Sequence, residues 1–276
     1  MPGRDVVLIG ASAGGFDALR RLLGGLPAGL PASVLVVVHI TPGPNSRTLP
    51  DTLARSGCLP AAYAVPGQRL TPGLVTVAPP GQHLVVTDGD VLRLHRGPLV
   101  HRVRPAVDVL LHSAARHCGE RAIAVVLSGS LRDGAEGAAA VAAAGGAVLV
   151  QDPADAGSPD MPAATLARVP GAGAWPAAKL GPAIADLLGT EAPRRPVAAD
   201  HRVEGIADAL WTAVSQLHAD AAVQQRLQQR FAPTHPLVAL SRSREERMRQ
   251  AAELITDRVL PNFRPGAPPG PPTDGG

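Results

Sequence analysis

The chain has 276 residues and a formal net charge of +3, and because Lys179 is its single lysine the basic surface is built from arginine. Hydrophobic residues make up 45% but aromatic residues only 2%, which leaves little to stack on bases and argues against nucleic-acid binding. No run approaches the roughly 18 apolar residues of a membrane span, the first five residues lack a signal-peptide pattern, and Cys58 and Cys118 have neither metal-type nor disulfide-framework spacing. These features lead us to expect a soluble, cytoplasmic protein without cofactor or metal.

Residues 5–190 alternate short β-branched runs with Ala- and Leu-rich stretches, the pattern of a parallel sheet covered by helices. Val6-Val7-Leu8-Ile9 predicts the first strand, the turn 10–15 follows, and Phe16, Leu19, Leu22 and Leu23 recur at helical spacing. A second strand is predicted over 34–40, and Leu74-Val75-Thr76-Val77 supplies another apolar run. Asp88-Gly89 between Leu84-Val85-Val86 and residues 91–95 predicts a β-hairpin, expected as an antiparallel addition at the sheet edge. A helix over 107–118, a strand over 123–127, a helix over 135–144, a strand over 147–150 and a helix opening near Met161-Pro162 complete the series. The expected fold class is α/β: a doubly wound, mostly parallel sheet with an antiparallel hairpin at its edge, followed by a C-terminal helical hairpin.

The predicted domains are a catalytic-type domain over 1–190, a charged, Pro-bearing linker over 191–199, a helical hairpin over 200–263 and a disordered Pro/Gly-rich tail over 264–276. In the hairpin, Ile206, Leu210, Val214, Leu217 and Ala221 form one apolar stripe. Its second helix is expected from Ser243, where Glu246 follows three residues on as in a capping box, with residues 233–236 as the connection. Self-association or partner docking through these helices is expected.

The chemistry concentrates at predicted strand ends. Gly10-Ala11-Ser12-Ala13-Gly14-Gly15 lies where strand one meets helix one, where helix-terminal N–H groups favour an anion. A dinucleotide site would need Gly-x-Gly-x-x-Gly and a carboxylate at the end of the second strand, and both are missing. As Gly-x-Ser-x-Gly the segment offers Ser12 as a nucleophile, and the second strand ends in His39, a suitable base. The glycine-rich loop 128–134 carries Asp133, expected to accept from the imidazole Nδ1–H and fix its tautomer. Taken singly, Ser12 also suits a helix N-cap, His39 a solvated histidine and Asp133 an N-cap ahead of Gly134. Their shared sheet edge is what joins them.

The order Ser, His, Asp differs from that of α/β-hydrolases, where the acid precedes the histidine. It resembles the catalytic domain of the CheB family of chemotaxis methylesterases, through Gly10 to Gly15, Val37-Val38-His39 and the segment from Leu127 to Gly134. Further matching pieces are Leu74 to Pro80 with Gln82-His83-Leu84, Arg104-Pro105-Ala106-Val107-Asp108, Gln151-Asp152-Pro153 and Met161-Pro162. The resemblance implies hydrolysis of glutamyl methyl esters on the cytoplasmic helices of methyl-accepting receptors, with glutamine deamidation as companion activity. It implies Ser12, His39 and Asp133 as the triad and the backbone N–H groups of Ala13 and Ser130 as oxyanion donors. The receiver domain usual in the family is not expected here, and Ser130-Leu131-Arg132 departs from the usual Met-Gly-x. The alternative is a catalytically degenerate interaction module of the same fold. His83, His95, His101 and His117 lack metal-ligand spacing and are expected as surface or hairpin residues. Arg102 and Arg104 are candidates for guiding an acidic receptor helix, as well explained by a solvated face.

Overall fold

The computed structural model describes residues 3–39, 49–190 and parts of 213–258. The chain divides into two compact units, residues 1–197 and 198–276. In chain order the first unit contains β1 (Val6–Ala11), α1 (Gly15–Gly24), β2 (Ser33–Val38), α2 (Leu49–Arg55), β3 (Ala61–Tyr63) and β4 (Val75–Val77). There follow β5 (His83–Thr87), β6 (Val91–His95), α3 (Val107–His117), β7 (Ala122–Val126), α4 (Ala135–Ala143), β8 (Ala147–Gln151), α5 (Asp160–Arg168), β9 (Gly173–Trp175) and α6 (Ala177–Leu187).

Seven strands form one sheet in the order β3-β4-β2-β1-β7-β8-β9, every pairing in it parallel. A parallel sheet covered on both faces has no solvent side, so its central strands lose the polar/apolar alternation. Every residue of β1, β2 and β7 is accordingly buried. Their β-branched runs were the strongest signal in the sequence. β3 and β9, three residues each and partly exposed at the two sheet edges, carry no such run.

The expected hairpin is β5-β6, and it forms a two-stranded sheet of its own rather than extending the large one. Leu84, Val86 and Leu92 bury together with Val107, Leu110 and Leu111 of α3 in one core cluster. The Val86 N–H donates to Ser113 Oγ at 3.0 Å. The alternating hairpin has one apolar face to cover, and α3 covers it.

In the second unit, α7 spans Pro236–Leu254, so it opens well before the expected start at Ser243. His235 is its N-cap, with Nδ1 accepting from Leu237 N at 3.2 Å, and Pro236 follows where a missing N–H costs nothing. A proline taken as part of the connection thus begins the helix. Ser243 instead accepts from Arg247 at 3.0 Å inside it. Ser241 Oγ donates to Gln224 O at 2.7 Å and Gln228 Nε2 donates to Glu245 Oε2 at 2.8 Å, which joins α7 to the preceding helical residues. Val214 and Ala221 of the expected stripe are buried. Ile206, Leu210, the predicted linker 191–199 and the predicted tail 264–276 lie outside the described residues. No helix among the described residues is long and apolar enough to cross a membrane.

His83, expected to be a surface or hairpin residue, is fully buried. Its Nε2–H donates to Pro98 O at 3.0 Å and its Nδ1 accepts from Ala106 N at 3.2 Å, which fixes the neutral ring. Burial lowers its pKa below the ordinary histidine value and the charges of His95 and Arg104 lower it further, against the Pro98 carbonyl. Because the unfolded histidine protonates near pH ~6.5 and the folded one resists, stability falls as the pH drops through that value toward the lowered pKa. In urea titrations at about pH 7 and about pH 5, His83→Gln should lose less stability than the parent chain; equal losses would remove His83 as the source.

Candidate active site

Ser12 follows the last residue of β1 and sits ahead of α1, whose N-cap, Gly14, adopts φ 68°. The β1 ladder continues into this turn: Leu127 N donates to Gly10 O and Ser12 N to Ser128 O, each at 2.9 Å. On the other side Ala11 pairs in register with Val38 and His39 N donates to Ala11 O at 3.2 Å, so His39 stands beside Ser12. Asp133 comes from the loop between β7 and α4. All three gather at the carboxyl rim of the sheet, next to its central strand.

The side chains meet in series. Ser12 Oγ is 3.0 Å from His39 Nδ1, and His39 Nε2 is 2.8 Å from Asp133 Oδ2. Asp133 was expected to accept from Nδ1–H, and the structure reverses the ring. The cause is the strand order. Ser12, on the strand adjacent to β2, takes the ring nitrogen nearer the backbone, while Asp133 arrives from beyond β7 and takes the farther one. With Nε2–H donated to the carboxylate, Nδ1 is left with its lone pair toward the Ser12 hydroxyl.

Asp133 was also expected as the cap of α4, yet Gly134 occupies that position without a side-chain cap. Its carboxylate instead faces the start of α3, where Oδ2 accepts from Val107 N at 2.7 Å and Oδ1 from Asp108 N at 2.9 Å. Burial pushes the Asp133 carboxyl up, but the hydrogen bond and charge of His39 with the two α3 amides outweigh it and hold the pKa below the ordinary carboxylate value. Asp133 is therefore ionised beside His39.

The loop after β7 is pinned from several sides. Ser128 is fully buried, and its Oγ donates to Ala13 O at 2.8 Å and accepts from Ser158 N at 2.8 Å. Gly129 N donates to Ser158 O and Gly129 O accepts from Met161 N. A Cβ on Gly129 would stand 2.1 Å from Met161 Sδ and 2.8 Å from Ser12 Cβ, so only glycine lets this loop close on Ser12. Leu131, next in line after Ser130, is exposed at φ 72° with its N–H toward Asp160 Oδ2 at 3.3 Å. The backbone N–H groups of Ala13 and Ser130 have no acceptor among the described residues.

Two groups emerge that sequence spacing did not single out for the site. Asp108, buried in the first turn of α3, accepts from Gly137 N at 2.7 Å through Oδ1 and from His101 Nε2 at 2.6 Å through Oδ2. His101, Asp108 and Asp133 each offer a ligand atom within 4.8 Å of the others, a spacing that a metal ion could use. All four carboxylate oxygens already accept hydrogen bonds. Arg104 is bound to the carbonyls of Gly81, Gly97 and Arg96 at 2.7, 2.6 and 3.3 Å, which makes it a strut between loops rather than a free guide for an acidic partner. Arg102 is exposed. His117 meets Asp88 at 2.9 Å on the surface.

A hydroxyl, an imidazole and a buried carboxylate in hydrogen-bonded series on a doubly wound sheet form the arrangement used by serine hydrolases. The family model for CheB methylesterase matches residues 7–184, and the chain belongs to that family. The crystal structure of the Thermotoga maritima CheB methylesterase catalytic domain superposes with a TM-score of 0.63 at 30% identity, over 67% of this chain and 99% of that one. A protein-glutamate methylesterase/protein-glutamine glutaminase of Symbiobacterium thermophilum is 42% identical over 149 residues, 54% of this chain and 41% of the relative. One of Caulobacter vibrioides is 37% identical over 185 residues, 66% of this chain and 53% of the relative. The chain spans about half the length of these curated relatives.

Because the loop at Gly129 has no room for a methyl group, Gly129→Ala should destabilise the chain by about 1–3 kcal/mol through overpacking against Met161 and Ser12. Denaturant midpoints measure this. An unchanged midpoint would mean that the loop yields freely.

Proposed function

We propose that this chain is a protein-glutamate methylesterase: a serine hydrolase that removes methyl esters from glutamyl side chains on the cytoplasmic helices of methyl-accepting receptors and deamidates glutamine there. The observation that carries the reading is the series Ser12 Oγ, His39, Asp133 with contacts of 3.0 and 2.8 Å, within hydrogen-bond reach. The names borne by the relatives support the substrate class. The reading assigns catalysis to a domain over 1–190 and leaves the helical extension over 200–263 for self-association or partner docking, in the cytoplasm where such receptor helices lie.

In this mechanism His39 Nδ1 takes the Ser12 proton as Oγ attacks the ester carbonyl, and Asp133 steadies the imidazolium through Nε2–H. The tetrahedral oxyanion takes up the backbone N–H groups of Ala13 and Ser130. His39 returns the proton to the departing methoxide, and methanol leaves an acyl-Ser12. Water, deprotonated by His39, then attacks the acyl group and frees the glutamate carboxylate and Ser12. With a glutamine substrate the leaving group is ammonia and the remaining steps are the same.

Ser12→Ala should abolish methanol release from a methylated receptor fragment and fluorophosphonate labelling alike, since the members of a triad act as a unit. A parent chain that a fluorophosphonate fails to label would instead mark a degenerate binding module. Asp133→Asn, which keeps the shape but loses the charge holding Nε2–H, should lower kcat by roughly 10³- to 10⁴-fold. A drop of less than about tenfold would place the acid elsewhere.

A further inference from the structure

His101 and Arg102 adopt φ 51° and 67°, left-handed backbone uncommon outside Gly, Asn, Asp and His. They are the central residues of a tight turn closed by Val100 N to Val103 O at 3.2 Å and Val103 N to Val100 O at 3.0 Å. Positive φ at both centres is the pattern of a type I′ turn, in which Asn and Gly are preferred. Arg102 is held in that turn against its backbone preference, whereas histidine visits this region more readily than most residues. What the turn delivers is the His101 imidazole, with Nε2 at 2.6 Å from Asp108 Oδ2 and 4.0 Å from Asp133 Oδ1.

Asp108 joins three parts of the site: its side chain holds Gly137 N of α4, its own N–H holds Asp133 Oδ1, and its second oxygen depends on His101. We propose that His101 is a positioning residue for the hydrolysis, fixing Asp108 and, through the first turn of α3, the orientation of Asp133 toward His39. The inference rests on the triad reading given above. Without the imidazole, a buried carboxylate oxygen beside a second buried carboxylate has no donor, and rotation of the Asp108 side chain is its cheapest relief. That rotation disturbs the α3 start against which Asp133 is aligned. His101 acts through Asp108 and not on the reacting atoms.

A residue kept only for its turn would be replaced without loss by glycine, which adopts positive φ freely. His101→Gly therefore separates the two roles. In the full chain, it should still fold cooperatively, with a lowered unfolding temperature because Asp108 Oδ2 loses its donor, and in assays well below that temperature it should lower kcat roughly tenfold with KM changed less than about twofold, as expected for a displaced triad. His101→Gln, whose amide nitrogen reaches about as far as Nε2, should recover kcat to within about threefold of the parent. In an Asp108→Asn background, His101→Gly should cost little more, because the two residues act as one link. Parent-like kcat in His101→Gly, a loss confined to KM, or no recovery in His101→Gln would each overturn the proposal. Ser12→Ala assayed beside them keeps the two readings apart: residual turnover there overturns the triad, whereas an inert Ser12→Ala with an undiminished His101→Gly overturns only the role of His101.

Discussion

The Asp133 carboxylate at the start of α3 is the contact on which the site depends. A helix N-terminus presents N–H groups without partners inside the helix, together with a partial positive charge. Asp133 satisfies two of those groups, Val107 N and Asp108 N, while it accepts from His39. A carboxylate that is 2% exposed is kept ionised by donors whose positions the fold already fixes. In return, Asp108 of α3 takes Gly137 N in the first turn of α4. The two helices exchange caps, so that the packing of α3 on α4 and the aim of the catalytic-type acid are one arrangement.

The remaining partners come together because β1 lies between β2 and β7. In a parallel sheet all strands leave at the same rim, and the residues just past three neighbouring strands face a common space. Ser12 and His39 are neighbours by register, and Asp133 reaches back from the loop that also carries Ser128, Gly129 and Ser130. That loop is fastened to Ala13 and Ser158 by the buried Ser128 hydroxyl. Ser12, Asp133 and the backbone N–H groups of Ala13 and Ser130 thus share one fastening. Displacing the loop would move all of them.

Much of this was legible in the chain. Strands buried on both faces must be built from uninterrupted apolar residues, so Val6 to Ile9, Val34 to Val38 and Ile123 to Val126 announced themselves, and with them the residues at their ends. Elements whose identity depends on distant partners did not. Ala61–Tyr63 and Gly173–Trp175 are strands because a neighbour offers hydrogen bonds, not because three residues make a pattern. Asp108 is buried because the α4 start lies against it, a partner that no local pattern names. His101 carried no spacing signal, since its contact is made by a turn to a partner, Asp108, in another element. Pro236 showed how an N1 proline can be taken for a loop residue when the capping histidine before it is overlooked.

The orientation of His39 was beyond the sequence for a geometric reason and is without chemical penalty. A general base needs one ring nitrogen with its lone pair toward the hydroxyl and the other protonated toward an anion. Nothing in that requirement distinguishes Nδ1 from Nε2, whose carbon neighbour between them makes the two edges nearly equivalent. Reach decides. A histidine on the strand next to the nucleophile is too close to present its far edge to the hydroxyl while its near edge meets an acid from two strands away. Here the near nitrogen meets the near partner at 3.0 Å and the far nitrogen the far one at 2.8 Å, and the order of strands in the sheet sets which ring edge faces which partner.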